Sequence, residues 1–435
     1  MEKNITDLLR FIKRSPTAYN AAHEICGIFE KMGYTRLDEG EKWAIEPGGR
    51  YYVTKNMSSV IAFAAGRDYG PFKIIASHCD SPIFKLKDNF EISAEGKYTK
   101  LNTEKYGGMI MSSWFDRPLS VAGRVIVKED GRLKSKIVDL EKPVLVIPNM
   151  PVHFCPEINK GYSYNAQTDM APIAGGGKSK GEIMKMVACA AGVRPEDIIS
   201  YDLYAYCAQE GTVAGVQDEY ILAPRIDDLE CAFASIKAFC QSENKGSGIN
   251  MCCVFDNEEV GSGTKQGADS TFLDDVITRI TYAMGKDGED KIRTIARSFM
   301  VSADNAHSMH PNHPEKYDAG NRVYMNEGVV IKFNANQRYT SDGVSAAIFK
   351  EICRKAGVPV QSFANRSDIA GGSTLGNISN SHVSLNTVDI GLPQLAMHSA
   401  VETAGAQDFE YMISAMTGFY DSEIVIKNDE EYEVR

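Results

Sequence analysis

The stretch FKIIASHCDSP (72–82) runs an apolar segment straight into a histidine and an aspartate. Phe72, Ile74, Ile75 and Ala76 read as a buried strand, the kind that fills a sheet covered on both faces. In an open α/β sheet, loops at the carboxyl ends of parallel strands gather in one crevice. His78 and Asp80 therefore stand where such a crevice forms. The pattern recurs down the chain: NMCCVF (250–255) precedes Glu258 and Glu259, RSFMVSA (297–303) precedes Asp304, and a strand over 384–390 precedes PQLAMHS (393–399). SSVIAF (58–63) is a further buried strand. Helical patterns over 228–240, 271–284 and 341–356 separate these runs. Alternating strand and helix predict an α/β fold, a mostly parallel sheet with helices on both faces.

Two regions depart from that alternation. The first segment reads as helices, with Ser15-Pro16 as an N-cap followed by proline at the first helical position. Ile25, Ile28, Phe29 and Met32 then recur at helical spacing, and Gly33 closes the helix. From residue 89 to 220 short β-like runs take over: GRVIVK (123–128), SKIVDL (135–140), VLVIP (144–148) and DLYAYCA (202–208), with one helix around 181–191. The expected organisation is a catalytic domain in two pieces, 1–88 and 221–435, around an inserted β-rich domain, 89–220. The glycine-rich AGGGKSKG (174–181) lacks the GxxxxGK spacing of a phosphate-binding loop and reads as a flexible connection.

Composition narrows the function classes. A chain of 435 residues exceeds what one core usually supports, hence two domains. Hydrophobic residues make up 43% and charged residues 24%, ordinary for a globular enzyme. No apolar run approaches the roughly 20 residues of a membrane span. The start, MEKNITDLLRFIKRSP, has charges breaking every apolar cluster and lacks a signal-peptide core. Ten scattered cysteines form no CxxC pair, which disfavours a disulfide framework or thiolate zinc site and fits a reducing cytoplasm. The net charge of −11, with no long basic run, argues against nucleic acid as a partner.

Five segments concentrate possible metal ligands: SHCDSP (77–82), RIDDLE (225–230), FDNEEVGS (255–262), SADNAHSMHPNH (302–313) and PQLAMHS (393–399). Imidazole and carboxylate are their shared chemistry, a set that suits zinc, manganese or cobalt. His78 and Asp80 share a face if the strand continues, so Asp80 can orient the His78 ring. Glu258 and Glu259 are adjacent acids, which repel unless a cation is near or one is protonated. A metal hydrolase uses both states, one acid as ligand and one as base. Asp227 and Asp228 precede a helix starting near Leu229, where either is an N-cap or a metal bridge. Asp304, His307, His310 and His313 form a dense cluster in which some side chains line a pocket rather than bind metal.

Together these segments resemble the aspartyl aminopeptidase family of zinc metallopeptidases. The matching stretches are SHCDSP, SSWFDRPLSVAGRV, RIDDLE, FDNEEVGS, SADNAHSMHPN, GVVIKFNANQRY, GGSTLG and DIGLPQLAMHS, in family order over about 77–405. The resemblance implies two divalent metal ions per subunit, zinc first, with cobalt or manganese as alternatives. His78 and Asp304 would hold one, Glu259 and His398 the other, and Asp227 would bridge. Glu258 would be the general base and Asp80 its neighbour in support of His78. His153 matches a histidine that reaches a neighbouring subunit's active site, and Lys332 a basic residue tied to acidic side-chain preference. His307 and His310 would contact substrate. A homo-oligomer, up to a dodecamer, acting on peptides is implied. Two positions depart from the family pattern: Asp228 replaces an asparagine beside the bridge, and Pro118 sits in WFDRPLS. The extra acid at 228 would shift metal preference or disfavour acidic substrates. Two other readings compete: a related dinuclear deacylase of N-acyl amino acids, and a non-catalytic relative with a structural role.

Overall fold

The structure is a computed structural model that describes residues 2–243 and 248–435. Its centre is a nine-stranded sheet in the spatial order Thr35–Arg36, Arg50–Lys55, Ser59–Ala64, Ile249–Phe255, Phe72–His78, Phe299–Ala303, Asn386–Gly391, Val329–Phe333, Val360–Ala364. The four strands Ile249–Phe255, Phe72–His78, Phe299–Ala303 and Asn386–Gly391 run parallel to one another. Ser59–Ala64 and Val329–Phe333 flank them antiparallel. The mostly parallel α/β sheet expected from the sequence is thus present.

Both faces are covered, which is why these strands are continuously apolar. Ile75, Cys252, Val301 and Val388 pack on one side against the helices Glu2–Arg14, Ala18–Lys31, Ile226–Gln241, Gly343–Ala356 and Ala406–Asp421. Ile74, Met251, Cys253 and Met300 pack on the other against Phe272, Leu273, Val276, Ile277 and Ile280 of the helix Phe272–Ala283. Each fully buried aliphatic side chain contributes about 1.5–3 kcal/mol, so this double-sided core fixes the strand ends rigidly.

A second, six-stranded antiparallel sheet uses residues 83–207, in the order Arg132–Asp139, Leu119–Glu129, Ile198–Cys207, Ile83–Ala94, Tyr98–Tyr106, Ile173–Gly176. The helix Glu182–Ala191 packs on it through Ile183 and Val187. A third sheet joins Thr212–Ala214, Tyr220–Ala223, Glu402–Gly405, Pro393–Leu395 and Ala306–His307 beside the crevice.

Three local expectations change. The N-cap of the second helix is Thr17, not Ser15: Thr17 is extended and its hydroxyl accepts the Asn20 N–H, whereas Ser15 is buried two residues earlier. VLVIP is not a strand; only single bridges form, at Leu145 and Val146, while Leu145 and Ile147 turn into the insert core. The glycine-rich segment is not a loose connection. Ile173–Gly176 pairs with Tyr98–Lys100, and a Cβ on Gly177 would meet the Gly96 carbonyl at 2.3 Å, so glycine is what lets this edge strand approach.

Candidate metal centre

Four of the candidate segments leave the carboxyl ends of the four parallel strands. His78 is the last residue of its strand and pairs in register with Phe255. Glu258 and Glu259 follow Phe255 in a short 3₁₀ turn, Asp304 follows Ala303, and His398 follows the Asn386–Gly391 strand. The fifth segment arrives from a helix start. The stretch Ile226–Gln241 is non-helical at Asp227 and Asp228 and regular from Leu229, so both aspartates stand at its mouth.

These side chains converge in two groups that share one member. His78, Asp227, Asp228 and Asp304 offer ligand atoms within 4.8 Å of one another, and so do Asp227, Glu259 and His398. Asp227 divides its carboxylate between them. Its Oδ1 lies 3.5 Å from His78 Nε2, and its Oδ2 lies 3.3 Å from His398 Nε2. His78 Nε2 is 3.9 Å from Asp304 Oδ1, and His398 Nε2 is 3.4 Å from Glu259 Oε1. These separations exceed ordinary hydrogen bonds. Ligand bonds of about 2.0–2.1 Å at tetrahedral angles set neighbouring donors about 3.3–3.4 Å apart, so the spacings of Asp227 to both imidazoles and of His398 to Glu259 suit a zinc-sized ion, while the His78–Asp304 pair is wider. Asp227 Oδ1, Asp228 Oδ1 and Glu259 Oε1 are buried without a hydrogen-bond partner, as atoms awaiting a cation are.

Both imidazoles are aimed. His78 Nδ1 lies 3.0 Å from the Asp80 carbonyl oxygen, and His398 Nδ1 lies 2.5 Å from the Gly108 carbonyl oxygen. Each ring thereby turns Nε2 toward the carboxylates, the usual arrangement behind a metal-binding histidine. Asp80 supports His78 mainly through its backbone, because the strand ends at His78 and the alternation of side chains ends with it; the Asp80 carboxylate stays 3.4 Å from Nδ1. That carboxylate instead accepts the N–H groups of Glu258 and Glu259, each at 3.1 Å, and the Tyr106 hydroxyl at 2.6 Å. Tyr106 in turn accepts from Asn257 Nδ2 at 2.8 Å.

Electrostatics reflects the crowding. Burial first, then Asp304 and Asp227, holds the Asp228 carboxyl well above its ordinary range. Its Oδ2 accepts the His78 N–H at 3.1 Å. Burial pushes Glu258 up to about 8, opposed by His78 and reinforced by Asp304 and Asp80. Burial disfavours the His398 imidazolium, but Asp227 and Glu259 outweigh it and raise this group to about 10. A dication bound here would have to displace these protons, because metal ligands bind deprotonated.

A cavity of about 180 Å³ opens on the cluster, lined by Asp227, Glu258, Asp304, His307, Lys332 and His398 among others. Lys332 is 3% exposed, on the strand Val329–Phe333, so it is no solvated surface lysine. Its Nζ donates to the Asn305 carbonyl at 2.8 Å and lies 3.8 Å from Asp304 Oδ2. His307 faces the cavity, its ring 6.3 Å from that of Phe363. Two expected residues are not brought in. His310 is off the cavity lining and packs against His313 at 5.1 Å. His153 stands exposed in the insert beside Phe154, which is 82% exposed.

Sequence reasoning missed Tyr106, Gly107, Gly108 and Glu402. Gly107 has φ +75°, and a Cβ there would meet Glu259 Cβ at 3.1 Å, so glycine is required for the insert to touch the site. The adjacent glycines were the available signal.

Residues 11–420 match the family described as Aminopeptidase I zinc metalloprotease (M18). The chain is 45% identical over 428 residues to a probable M18 family aminopeptidase 2 of Clostridium novyi, covering 96% of this chain and 99% of that protein. Its fold matches the structure of the Ape4 and Nbr1 complex with TM-score 0.94 at 36% identity, over 97% of this chain and 86% of that one. It matches the S. cerevisiae mApe1 dodecamer with TM-score 0.84 at 28% identity, over 95% of each chain. Among the described residues no helix is long and apolar enough to cross a membrane. The chain belongs to the M18 family of zinc metalloproteases and is a metal-dependent aminopeptidase.

Proposed function

We propose that this aminopeptidase uses two divalent ions, held by His78 and Asp304 on one side and Glu259 and His398 on the other, with Asp227 bridging. The observation that carries this reading is the division of the Asp227 carboxylate, Oδ1 toward His78 and Oδ2 toward His398. Such ions, when bound, supply the Lewis acidity that activates water at neutral pH and offsets charge developing on a carbonyl oxygen. Zinc is the ion the family description supports, and cobalt or manganese suit the same donors.

In this reading Glu258 is the general base. It takes the proton of the attacking water and delivers it to the leaving amine. Glu258 lines the cavity, and its backbone N–H is held by the Asp80 carboxylate. Lys332 recognises an acidic N-terminal side chain. An ammonium has three donors; one is spent on the Asn305 carbonyl and Asp304 Oδ2 lies 3.8 Å away, which leaves at least one for a substrate carboxylate. His307 packs along the substrate at the cavity wall.

The insert, read as residues 89–220, is the assembly element. Met150, Val152 and Phe154 are 56%, 50% and 82% exposed around His153, an apolar cluster suited to a second copy of the chain. His153 then serves a neighbour's cavity rather than its own, in a homo-oligomer similar to the mApe1 dodecamer. All ten cysteines are unpaired, which fits a cytoplasmic setting.

The test is a panel of N-terminal aminoacyl substrates assayed with chelator and metal add-back, beside Glu258→Gln. The variant should keep its metal and lose nearly all turnover. A fully active Glu258→Gln enzyme would remove the base assignment. Hydrolysis of N-acetylated peptides in preference to free ones would favour the deacylase reading.

A further inference from the structure

We infer that Glu402 is a positioning residue for the metal centre, a buried carboxylate that sets the spacing between Asp227 and His398. The inference rests on the ligand assignment above. Glu402 is 2% exposed, on the strand Glu402–Gly405. Its Oε2 accepts the backbone N–H of Asp227 at 3.1 Å, and its Oε1 accepts the backbone N–H of His398 at 2.6 Å. One carboxylate thus grips the main chain of two ligands drawn from distant parts of the sequence.

Neither ligand has regular secondary structure to hold it. Asp227 has non-helical dihedrals (φ −78°, ψ 111°), and His398 sits in the left-handed region at φ +67°. Their amides therefore lack helix or ladder acceptors, and Glu402 supplies both. Glu402 is itself pinned, because its strand pairs with Tyr220–Ala223 at Ala223 and with Pro393–Leu395. The grip continues inward. Gln394 Nε2 approaches Glu402 Oε1 at 3.5 Å, and Gln394 Oε1 accepts from Asn305 Nδ2 at 3.2 Å. Asn305 follows Asp304 and also donates to the buried Glu230 at 3.0 Å. Three ligand segments, at 227, 304 and 398, are joined behind the site by one polar bracket. A metal site works only when its ligands are held within about 0.5 Å of productive geometry, and this bracket faces that task.

Glu402→Gln tests it. The amide is nearly isosteric, but one of its two ends must present N–H to a backbone N–H. Residues behind a metal's ligands typically affect metal affinity or activity by about 10–100-fold. The variant should bind zinc about 10–100-fold more weakly in chelator competition. Its kcat should fall by a similar factor, with KM within a few-fold of wild type. Asp408→Asn is the control for a purely structural role: Asp408 also accepts two backbone amides, from Asn326 at 2.5 Å and Gly328 at 2.9 Å, away from the metal centre. It should lower the unfolding midpoint of the metal-free protein and leave zinc affinity unchanged. If Glu402→Gln does not fold, Glu402→Asp, too short to reach both amides, should show the same weakened zinc binding. Wild-type zinc affinity in a folded Glu402 variant overturns the inference. Asp227→Asn and His398→Ala separate the two failures: if they lose zinc while Glu402→Gln keeps it, the positioning role alone is wrong. If all three keep it, the ligand assignment is wrong.

Discussion

Asp80→Asn isolates how the site's loop is held. Asp80 is 3% exposed, and its carboxylate accepts three donors: the Glu258 N–H on Oδ1, and the Glu259 N–H and Tyr106 hydroxyl on Oδ2. An asparagine keeps the shape but offers one oxygen and one amide. Whichever way the amide turns, it faces a backbone N–H and leaves that donor without an acceptor. A buried unsatisfied donor costs about 1–3 kcal/mol, and downgrading charge-assisted bonds to neutral ones adds about 1 kcal/mol. The expected loss of stability is about 2–4 kcal/mol. The same residues carry the proposed base and a proposed ligand, so part of this loss enters the activation barrier, where about 1.4 kcal/mol is tenfold. We expect urea unfolding of the metal-loaded enzyme to show the stability loss and kcat to fall about 10–100-fold. A variant with wild-type midpoint and wild-type kcat refutes the idea that Asp80 anchors the Glu258–Glu259 turn.

Other consequences are as direct. Lys332→Met should cut kcat/KM for acidic N-terminal residues at least tenfold more than for neutral ones, about 1.5–3 kcal/mol for a lost charge-assisted contact; equal losses in the same assay remove the pairing. Phe154→Asp should dissociate the assembly, read as a drop in mass by light scattering, and an unchanged mass would place the interface elsewhere. Stability of the chelator-treated protein should fall as pH rises from about 5 to 9. Glu258 is raised from 4.5 to about 8, chiefly by burial. His398 is raised from 6.5 to about 10, where Asp227 and Glu259 overcome burial. The folded chain therefore holds more protons than the unfolded one across that window, and stability declines with pH. Asp227 is shifted the other way, since hydrogen bonds from His398 and His78 overcome burial, but its effect belongs below about pH 4. Zinc should raise the melting temperature more at about pH 8 than at about pH 6, and a metal-free protein that grows more stable with rising pH would contradict this.

What the sequence made legible was what local pattern encodes. The buried strands ending at His78, Phe255 and Ala303 are continuous apolar runs, and their ligands follow within a few residues. What it hid depends on long-range pairing. Glu402 looks like a surface acid in HSAVE until its strand pairs with Tyr220–Ala223. Tyr106 matters because an insert strand delivers its hydroxyl to Asp80. The strand stops at His78, so Asp80 reaches the ring with both its carbonyl, at 3.0 Å from Nδ1, and its carboxylate, at 3.4 Å. Thr17 displaced Ser15 as a cap because its extended backbone sets its hydroxyl against the Asn20 N–H, and proline alone does not decide capping.

Anomalous diffraction at the zinc edge from crystals of the metal-loaded protein reads the centre itself. Two zinc peaks per subunit are expected, one contacted by His78 and Asp304, one by Glu259 and His398, and both by Asp227. A single peak, or peaks whose neighbours exclude Asp227, would contradict the account.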